Sequence, residues 1–169
     1  DFINTKNPNP ETKEAFELIL DYARRVDADI AITTDPDCDR LGVAALKDGK
    51  YELMTGNQSG ALLLHYILSY RNEKGTIPAR AVMCNTIVTS VLGDRVCKHF
   101  GVDVEKTLTG FKFIGDKIHT WEQTGEHAYV FGYEESYGCL IEGFARDKDA
   151  VQASLMLCEA AAYYKAQGK

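Results

Sequence analysis

The chain has 169 residues, 45% of them hydrophobic and 26% charged, which suffices for one good-sized core or two small ones sharing an interface. Its 25 acidic residues against 19 Lys and Arg give a formal net charge of −6, and this acidic balance excludes a general nucleic-acid surface while leaving room for a local positive pocket. No signal-like segment or long apolar run speaks for export or membrane insertion, and Cys38, Cys84, Cys97, Cys139 and Cys158, widely spaced and without a C-x-x-C pair, fit reduced thiols of the cytoplasm better than a disulfide frame or a zinc site.

Taken in order, the chain opens on Asp1 and Phe2-Ile3-Asn4-Thr5, which read as the middle of a longer sequence, followed by the turn-rich Asn7-Pro8-Asn9-Pro10. A helix is predicted next, with Ala15, Leu18, Ile19, Tyr22 and Ala23 on its inner face and Glu11 and Glu14 near its start, ending at Asp27 to Asp29. Strands are predicted at Asp29–Thr33 and Leu41–Leu46, separated by an acidic loop, and Lys47-Asp48-Gly49-Lys50 reads as a hairpin turn leading into Tyr51-Glu52-Leu53. A domain boundary is expected here, between residues 1–50 and 51–169. Thr55-Gly56-Asn57 opens a helix through Leu68, Gly75 to Pro78 breaks it, and Ala79–Cys84 reads as a buried strand. Ile87 to Phe100 is predicted helical with Val88, Val91, Leu92, Val96 and Phe100 inward. Strand Val102–Thr107, helix Phe111–Gln123 and strand Ala128–Gly132 follow. The last helix, Ala150 to Ala166, is expected to turn Val151, Leu155, Cys158, Ala162 and Tyr163 inward. Alternating strands and helices imply an α/β fold with a mainly parallel sheet and flanking helices.

Four stretches carry chemistry. In Thr33-Thr34-Asp35-Pro36-Asp37-Cys38-Asp39-Arg40 three carboxylates stand at alternate positions between two apolar runs. Such crowding of like charge calls for a cation, and a hard divalent ion with oxygen ligands is the simplest solution. Arg40 adds a fixed positive charge suited to phosphate. A calcium EF-hand fails, because Arg40 and Leu46 stand where Gly and an acidic ligand belong. An aspartyl-phosphate phosphatase with Asp35 as nucleophile is mechanistically sensible but leaves Asp39 and Arg40 unexplained; a solvated turn is the bland alternative.

Gly132-Tyr133-Glu134-Glu135-Ser136-Tyr137-Gly138 places two carboxylates and a hydroxyl after a predicted strand, suited to sugar hydroxyls. A serine-hydrolase elbow would need Gly where Glu134 stands. Thr109-Gly110-Phe111-Lys112 again joins a strand to a helix, with Gly110 allowing close backbone approach. Arg146-Asp147-Lys148-Asp149 precedes the last helix and taken alone reads equally as a solvated face. The four histidines share no ligand spacing.

In this combination and order the chain resembles the α-D-phosphohexomutases, the phosphoglucomutase and phosphomannomutase family. The family's D-x-D-x-D-R metal loop is matched by Asp35, Asp37, Asp39 and Arg40. Its sugar loop is matched by Gly132 to Ser136 with Tyr133 inserted, its T-G-x-K element by Thr109 to Lys112, and its R-x-K-D run by Arg146, Lys148 and Asp149. Thr55, Gly56, Asn57 and Gly60 match the opening of the family's third domain. The resemblance implies the end of domain 2 and most of domain 3 of a four-domain enzyme, with domains 1 and 4 missing and the piece inactive by itself. It further implies interconversion of hexose 1-phosphate and hexose 6-phosphate through a phosphoserine and a hexose bisphosphate. By the same resemblance, Asp35, Asp37 and Asp39 would hold Mg²⁺ against a phosphoserine oxygen, and Arg40 and Lys148 would be catalytic. Thr109, Gly110, Glu134, Ser136, Arg146 and Lys148 would bind substrate. Pro36 and Cys38 are expected to face away from the metal, as alternate positions of an extended segment do. A non-enzymatic sugar-phosphate-binding module is the remaining alternative.

Overall fold

A computed structural model describes residues 3–5 and 7–168; Asp1 and Phe2, at the opening of the sequence, lie outside them. The chain folds in layers. A 3-10 turn, Lys13–Phe16, runs into α1 (Glu17–Arg25), and then β1 (Ile30–Thr34), β2 (Leu41–Lys47) and β3 (Lys50–Leu53) form an antiparallel sheet in the order β1-β2-β3. A second sheet has the order β5-β4-β6-β7, built from β4 (Ala81–Thr86), β5 (Asp103–Thr107), β6 (Ala128–Tyr133) and the short β7 (Cys139–Leu140). β4 pairs in parallel with β5 and β6, and β7 returns antiparallel. The helices are α2 (Gly56–Lys74), α3 (Leu92–Phe100), α4 (Phe111–Thr124) and α5 (Ala150–Ala166).

The period-2 alternation of the strands explains the layering. Ala31 and Ala44 turn to one side and pack with Phe16 and Ala23, whereas Ile30, Ile32, Leu41 and Val43 turn to the other and join the central core with α2, α3 and α5. In the second sheet Ala81 and Met83 face this same core, while Val82 and Cys84 pack on Phe111, Ile114, Ile118 and Trp121 of α4. One apolar layer thus serves both sheets, which fixes their loops relative to each other. No helix of the described residues is long and apolar enough to cross a membrane.

The mainly parallel sheet is the second one; the first is antiparallel because its strands are joined by tight turns rather than helical crossovers. The Asp48-Gly49 turn holds both residues at positive φ (49° and 75°), as a two-residue hairpin loop requires.

Three predicted helix faces are corrected. In α1, Leu18 and Tyr22 are exposed rather than inward, while Ala23 is buried as expected and Phe16 of the preceding 3-10 turn is buried with it, because the 3-10 entry shifts the phase of the helix. The helix predicted from Ile87 starts only at Leu92: Ile87 to Val91 form a turn, and Val88, Val91 and Leu92 are exposed rather than inward. In α5, Val151, Leu155, Cys158 and Ala162 face outward, while Ala150, Ala153, Leu157 and Ala160 are buried. This helix is apolar on nearly all sides, so periodicity alone could not choose between two stripes of like spacing; the smaller one lets α5 approach α2 and both sheets.

Candidate functional site

The acidic loop is a turn and not an extended segment. The Asp35 amide donates to the Arg40 carbonyl (3.3 Å), the Cys38 amide to the Asp35 carbonyl (3.1 Å), and Cys38 takes φ +59°. The expectation of alternation in an extended strand is therefore corrected: carboxylate oxygens of Asp35, Asp37 and Asp39 lie within 4.8 Å of one another because the chain folds back on itself. Cys38, half-buried, packs against the central core, so no thiolate joins the oxygen set.

Asp35 is the buried anchor, 4% exposed. Its Oδ1 accepts the amides of Asp39 (3.2 Å) and Arg40 (3.0 Å), and its Oδ2 accepts Arg40 Nε (2.7 Å). Burial pushes its carboxyl upward, but the Arg40 hydrogen bonds and charge outweigh this and hold it below the ordinary carboxylate range. Arg40 also donates to Glu11 (3.1 Å), a partner unsuspected from sequence, which holds the guanidinium between the entry segment and the loop. Asp37 is exposed.

Lys148 ties this loop to the rest. Its ammonium lies 2.8 Å from Asp39 Oδ2 and 2.9 Å from Asp147 Oδ1, and 5.8 Å from the centre of the Phe111 ring. Its stem crosses Gly138, where a Cβ would lie 2.2 Å from Lys148 Cδ, so that glycine is needed for the lysine to pass. The backbone fixes its root: the amides of Asp149 and Ala150 donate to the carbonyls of Cys139 (2.9 Å) and Cys38 (3.1 Å). Asp149 caps α5 by accepting the amides of Val151 and Gln152. Burial opposes the charge on Lys148, yet Asp39 and Asp147 outweigh it and raise its pKa above the ordinary lysine value. Asp39 is nevertheless raised despite this pair, because burial and the neighbouring Asp35 charge exceed what Lys148 supplies.

The Gly132–Gly138 loop meets the acidic loop edge to edge. Arg40 bridges Gly138, and the Leu41 amide donates to the Tyr137 carbonyl (2.9 Å). Glu134, 5% exposed, accepts the Gly110 amide on Oε1 (2.8 Å), which brings the Thr109–Lys112 element to the same place. Gly110 sits at φ +117°, a backbone closed to other residues. Burial raises the Glu134 pKa, with Gly110 and Lys148 opposing. Ser136 is half-buried, and Thr109 and Lys112 are exposed, with Lys112 over the Phe113 ring.

The structure thus gathers Asp35, Asp39, Arg40, Lys148, Gly110 and Glu134 on contacting segments, with a carboxylate oxygen of Asp37 within 4.8 Å of those of Asp35 and Asp39. It does not bring Arg146 among them: that guanidinium donates to the Gly143 carbonyl and to Glu122 on α4, and its backbone carbonyl lies over Gly115. The inserted Tyr133 is fully buried, its ring against Gly60 of α2 and its hydroxyl against Gly93 of α3, so the glycines of the Thr55–Gly60 motif serve packing. Of the two carboxylates expected to meet sugar hydroxyls, Glu135 is corrected: it points inward to Thr86 and Thr89, which sequence reasoning missed. Only those hydroxyls' position at a strand end could have signalled it.

Oxygen donors alone, three clustered carboxylates and one of them buried, fit a hard divalent cation.

The sequence profile of phosphoglucomutase/phosphomannomutase α/β/α domain III matches residues 55–169, and that of domain II matches residues 1–49. A phosphoglucomutase of Staphylococcus haemolyticus is 38% identical over 99% of this chain, and one of Staphylococcus epidermidis 39% identical over 100%. The chain spans 30% of the length of each. A crystal structure described as a phosphomannomutase of Thermus thermophilus superimposes with a TM-score of 0.70 at 27% identity, covering 96% of this chain and 33% of that one.

Proposed function

The chain belongs to the phosphoglucomutase/phosphomannomutase family, and on that footing we propose that it is the metal- and sugar-binding part of a phosphohexomutase that interconverts hexose 1-phosphate and hexose 6-phosphate. The observation that carries this reading is the placement of Lys148, which touches Asp39 of the acidic loop and lies over Phe111, next to the Gly110–Glu134 hydrogen bond. In this reading the acidic loop, the sugar loop and one cation face a single reaction centre.

In this reading Asp35, Asp37 and Asp39 would hold Mg²⁺, which would supply positive charge against a phosphoryl group in transfer. Arg40, rigidly held by Asp35 and Glu11, steadies the same phosphoryl group. Glu134 and Ser136 accept and donate hydrogen bonds to sugar hydroxyls, and Gly110 and Thr109 line the pocket. Lys148, charged through its two carboxylate partners, serves the transferring phosphoryl group or carries a proton between sugar hydroxyl and solvent. A phosphoserine from another domain of a longer protein would give its phosphoryl group to the hexose phosphate and, after the bisphosphate turns over, recover the other. Such a two-ended exchange asks for a sugar grip that works in both orientations, as paired hydroxyl-binding groups do. Arg146, engaged by Glu122, joins the substrate only by leaving that partner.

Asp35 as a phosphorylated nucleophile is disfavoured, because a phosphoryl group on its Oδ2 would displace Arg40 from a buried carboxylate, whereas a metal needs only the one lone pair that Arg40 leaves there. The test is a nuclear magnetic resonance titration of the chain with Mg²⁺ and then glucose 1-phosphate or mannose 1-phosphate. Shifts at Asp37 and Asp39 with the metal, then at Gly110, Glu134 and Ser136 with the sugar, are expected; sugar-phosphate shifts scattered elsewhere would overturn the assignment. Activity is read by substituting the chain for the matching segment of the Staphylococcus haemolyticus enzyme.

A further inference from the structure

The end of the central strand β4 and the turn after it play no part in the reading above, yet their side chains contact the sugar loop. Thr86 and Thr89 are buried, at 0% and 5% exposure. Their hydroxyl oxygens lie 3.1 and 3.0 Å from Glu135 Oε2 and 2.8 Å from each other. Hydrogen counting fixes what this contact is. Both oxygens already accept backbone amides: Thr86 Oγ1 takes Val88 and Thr89, and Thr89 Oγ1 takes Thr86. The two hydroxyl hydrogens are shared among three oxygen–oxygen contacts, and the contact between the threonines can use only one. At least one hydrogen therefore always points at the Glu135 carboxylate.

Two further constraints act on the same loop. The Glu135 carbonyl sits so close to Gly56 that a Cβ there would lie 2.2 Å away, and Tyr133 is wedged between Gly60 and Gly93. Each of these holds backbone or the base of the loop. Among the described residues, the Glu135 side chain is held by the threonine pair alone, from the carboxyl end of the central strand. Glu134 and Glu135 are adjacent, so when Glu135 is drawn inward, the next carboxylate is directed to Gly110 on the other side.

We propose that Thr86 and Thr89 are positioning residues: they clasp Glu135 and so set the orientation in which Glu134 and Ser136 meet the sugar phosphate. Of the two adjacent glutamates, one grips the ligand and the other is the handle by which the loop is held. The inference rests on the proposed role of the loop in sugar binding, and its test separates the two.

The double variant Thr86→Val/Thr89→Val removes both hydroxyls at nearly constant volume, and Thr86→Ser/Thr89→Ser keeps both; Glu135→Gln offers a route should the double valine variant not fold. Hydrogen exchange is read at the Glu134 amide, which donates to the Gly138 carbonyl, and at Val43 and Ala44 amides in β2 as a control. Either hydroxyl alone can reach Glu135, so both must go: the double valine variant is expected to speed Glu134 exchange roughly tenfold or more, with the control unchanged and the double serine variant within about twofold of the parent. Glucose 1-phosphate affinity should fall by a similar factor in the double valine variant and recover in the double serine variant, while Mg²⁺ affinity stays put. Parent-like exchange at Glu134 in the double valine variant, or equal damage from the double serine variant, overturns the clasp. Faster exchange with undiminished glucose 1-phosphate binding overturns its positioning role. Absence of glucose 1-phosphate binding by the parent chain instead sinks the sugar-loop reading, and the exchange data then still decide whether the clasp exists.

Discussion

Replacing Asp37 by Asn separates metal binding from folding. The three carboxylates of the turn, with Glu11 and Asp147 beside them, are only partly offset by Arg40 and Lys148, so the cluster is net negative, and Asp37→Asn removes one of its negative charges. Ligand oxygens within 4.8 Å of one another place an ion close to every carboxylate. At a charge separation of ~4 Å and a water-like dielectric, a doubly charged ion gains about 2 kcal/mol from one carboxylate, and more as water is excluded. Mg²⁺ affinity should therefore fall about thirtyfold or more. Asp37 is exposed and carries none of the Arg40 or Lys148 contacts of its neighbours, so stability should stay within ~0.5 kcal/mol of the parent. Asp35→Asn gives the contrast: it deprives a buried hydrogen-bonded ion pair of its charge and should cost ~1.5–3 kcal/mol of stability as well as the metal. The folded pKa of Asp35 is depressed, so its contribution is present above the unfolded value and lost as pH falls through the lower folded one. Calorimetric titration with Mg²⁺ and thermal melts read both variants. Parent-like affinity in Asp37→Asn, or a lowered melting temperature there equal to that of Asp35→Asn, would refute the division of labour between the two residues.

Two further outcomes follow from the loop geometry. Burial raises the Glu134 pKa, so its ionisation costs stability: the cost is absent below the unfolded value and complete once pH exceeds the raised folded one. Glu134→Gln should thus melt higher than the parent at pH 7, lose that advantage on acidification, and bind glucose 1-phosphate more weakly with Mg²⁺ affinity unchanged. Gly60→Ala would drive a methyl to 2.3 Å from the Tyr133 ring, and overpacking of this kind costs ~1–3 kcal/mol. A chemical denaturation curve superimposable on the parent's would show that α2 and Tyr133 are not in contact.

Much of the candidate site was written in local sequence. Alternating aspartates, a glycine-framed pair of glutamates and the Thr-Gly and Arg-x-Lys-Asp runs each name their chemistry by residue type, and their order suffices to bring out the family resemblance. Strand and hairpin positions were equally legible, because period-2 alternation and an Asp-Gly turn are short-range signals. Which face of a helix is buried was not, since α5 is apolar on nearly all sides and α1 changes phase at its 3-10 entry; only neighbours supplied by the rest of the chain choose between such stripes. The same limit governs the site. That the aspartates converge depends on a turn with Cys38 at positive φ, that Lys148 reaches Asp39 depends on a glycine it must cross, and that Arg146 is drawn to Glu122 depends on α4 packing beneath it. Residue type determines what a side chain can do, but which partners it meets is settled by contacts between segments far apart in the chain, and those contacts are made by the packed core.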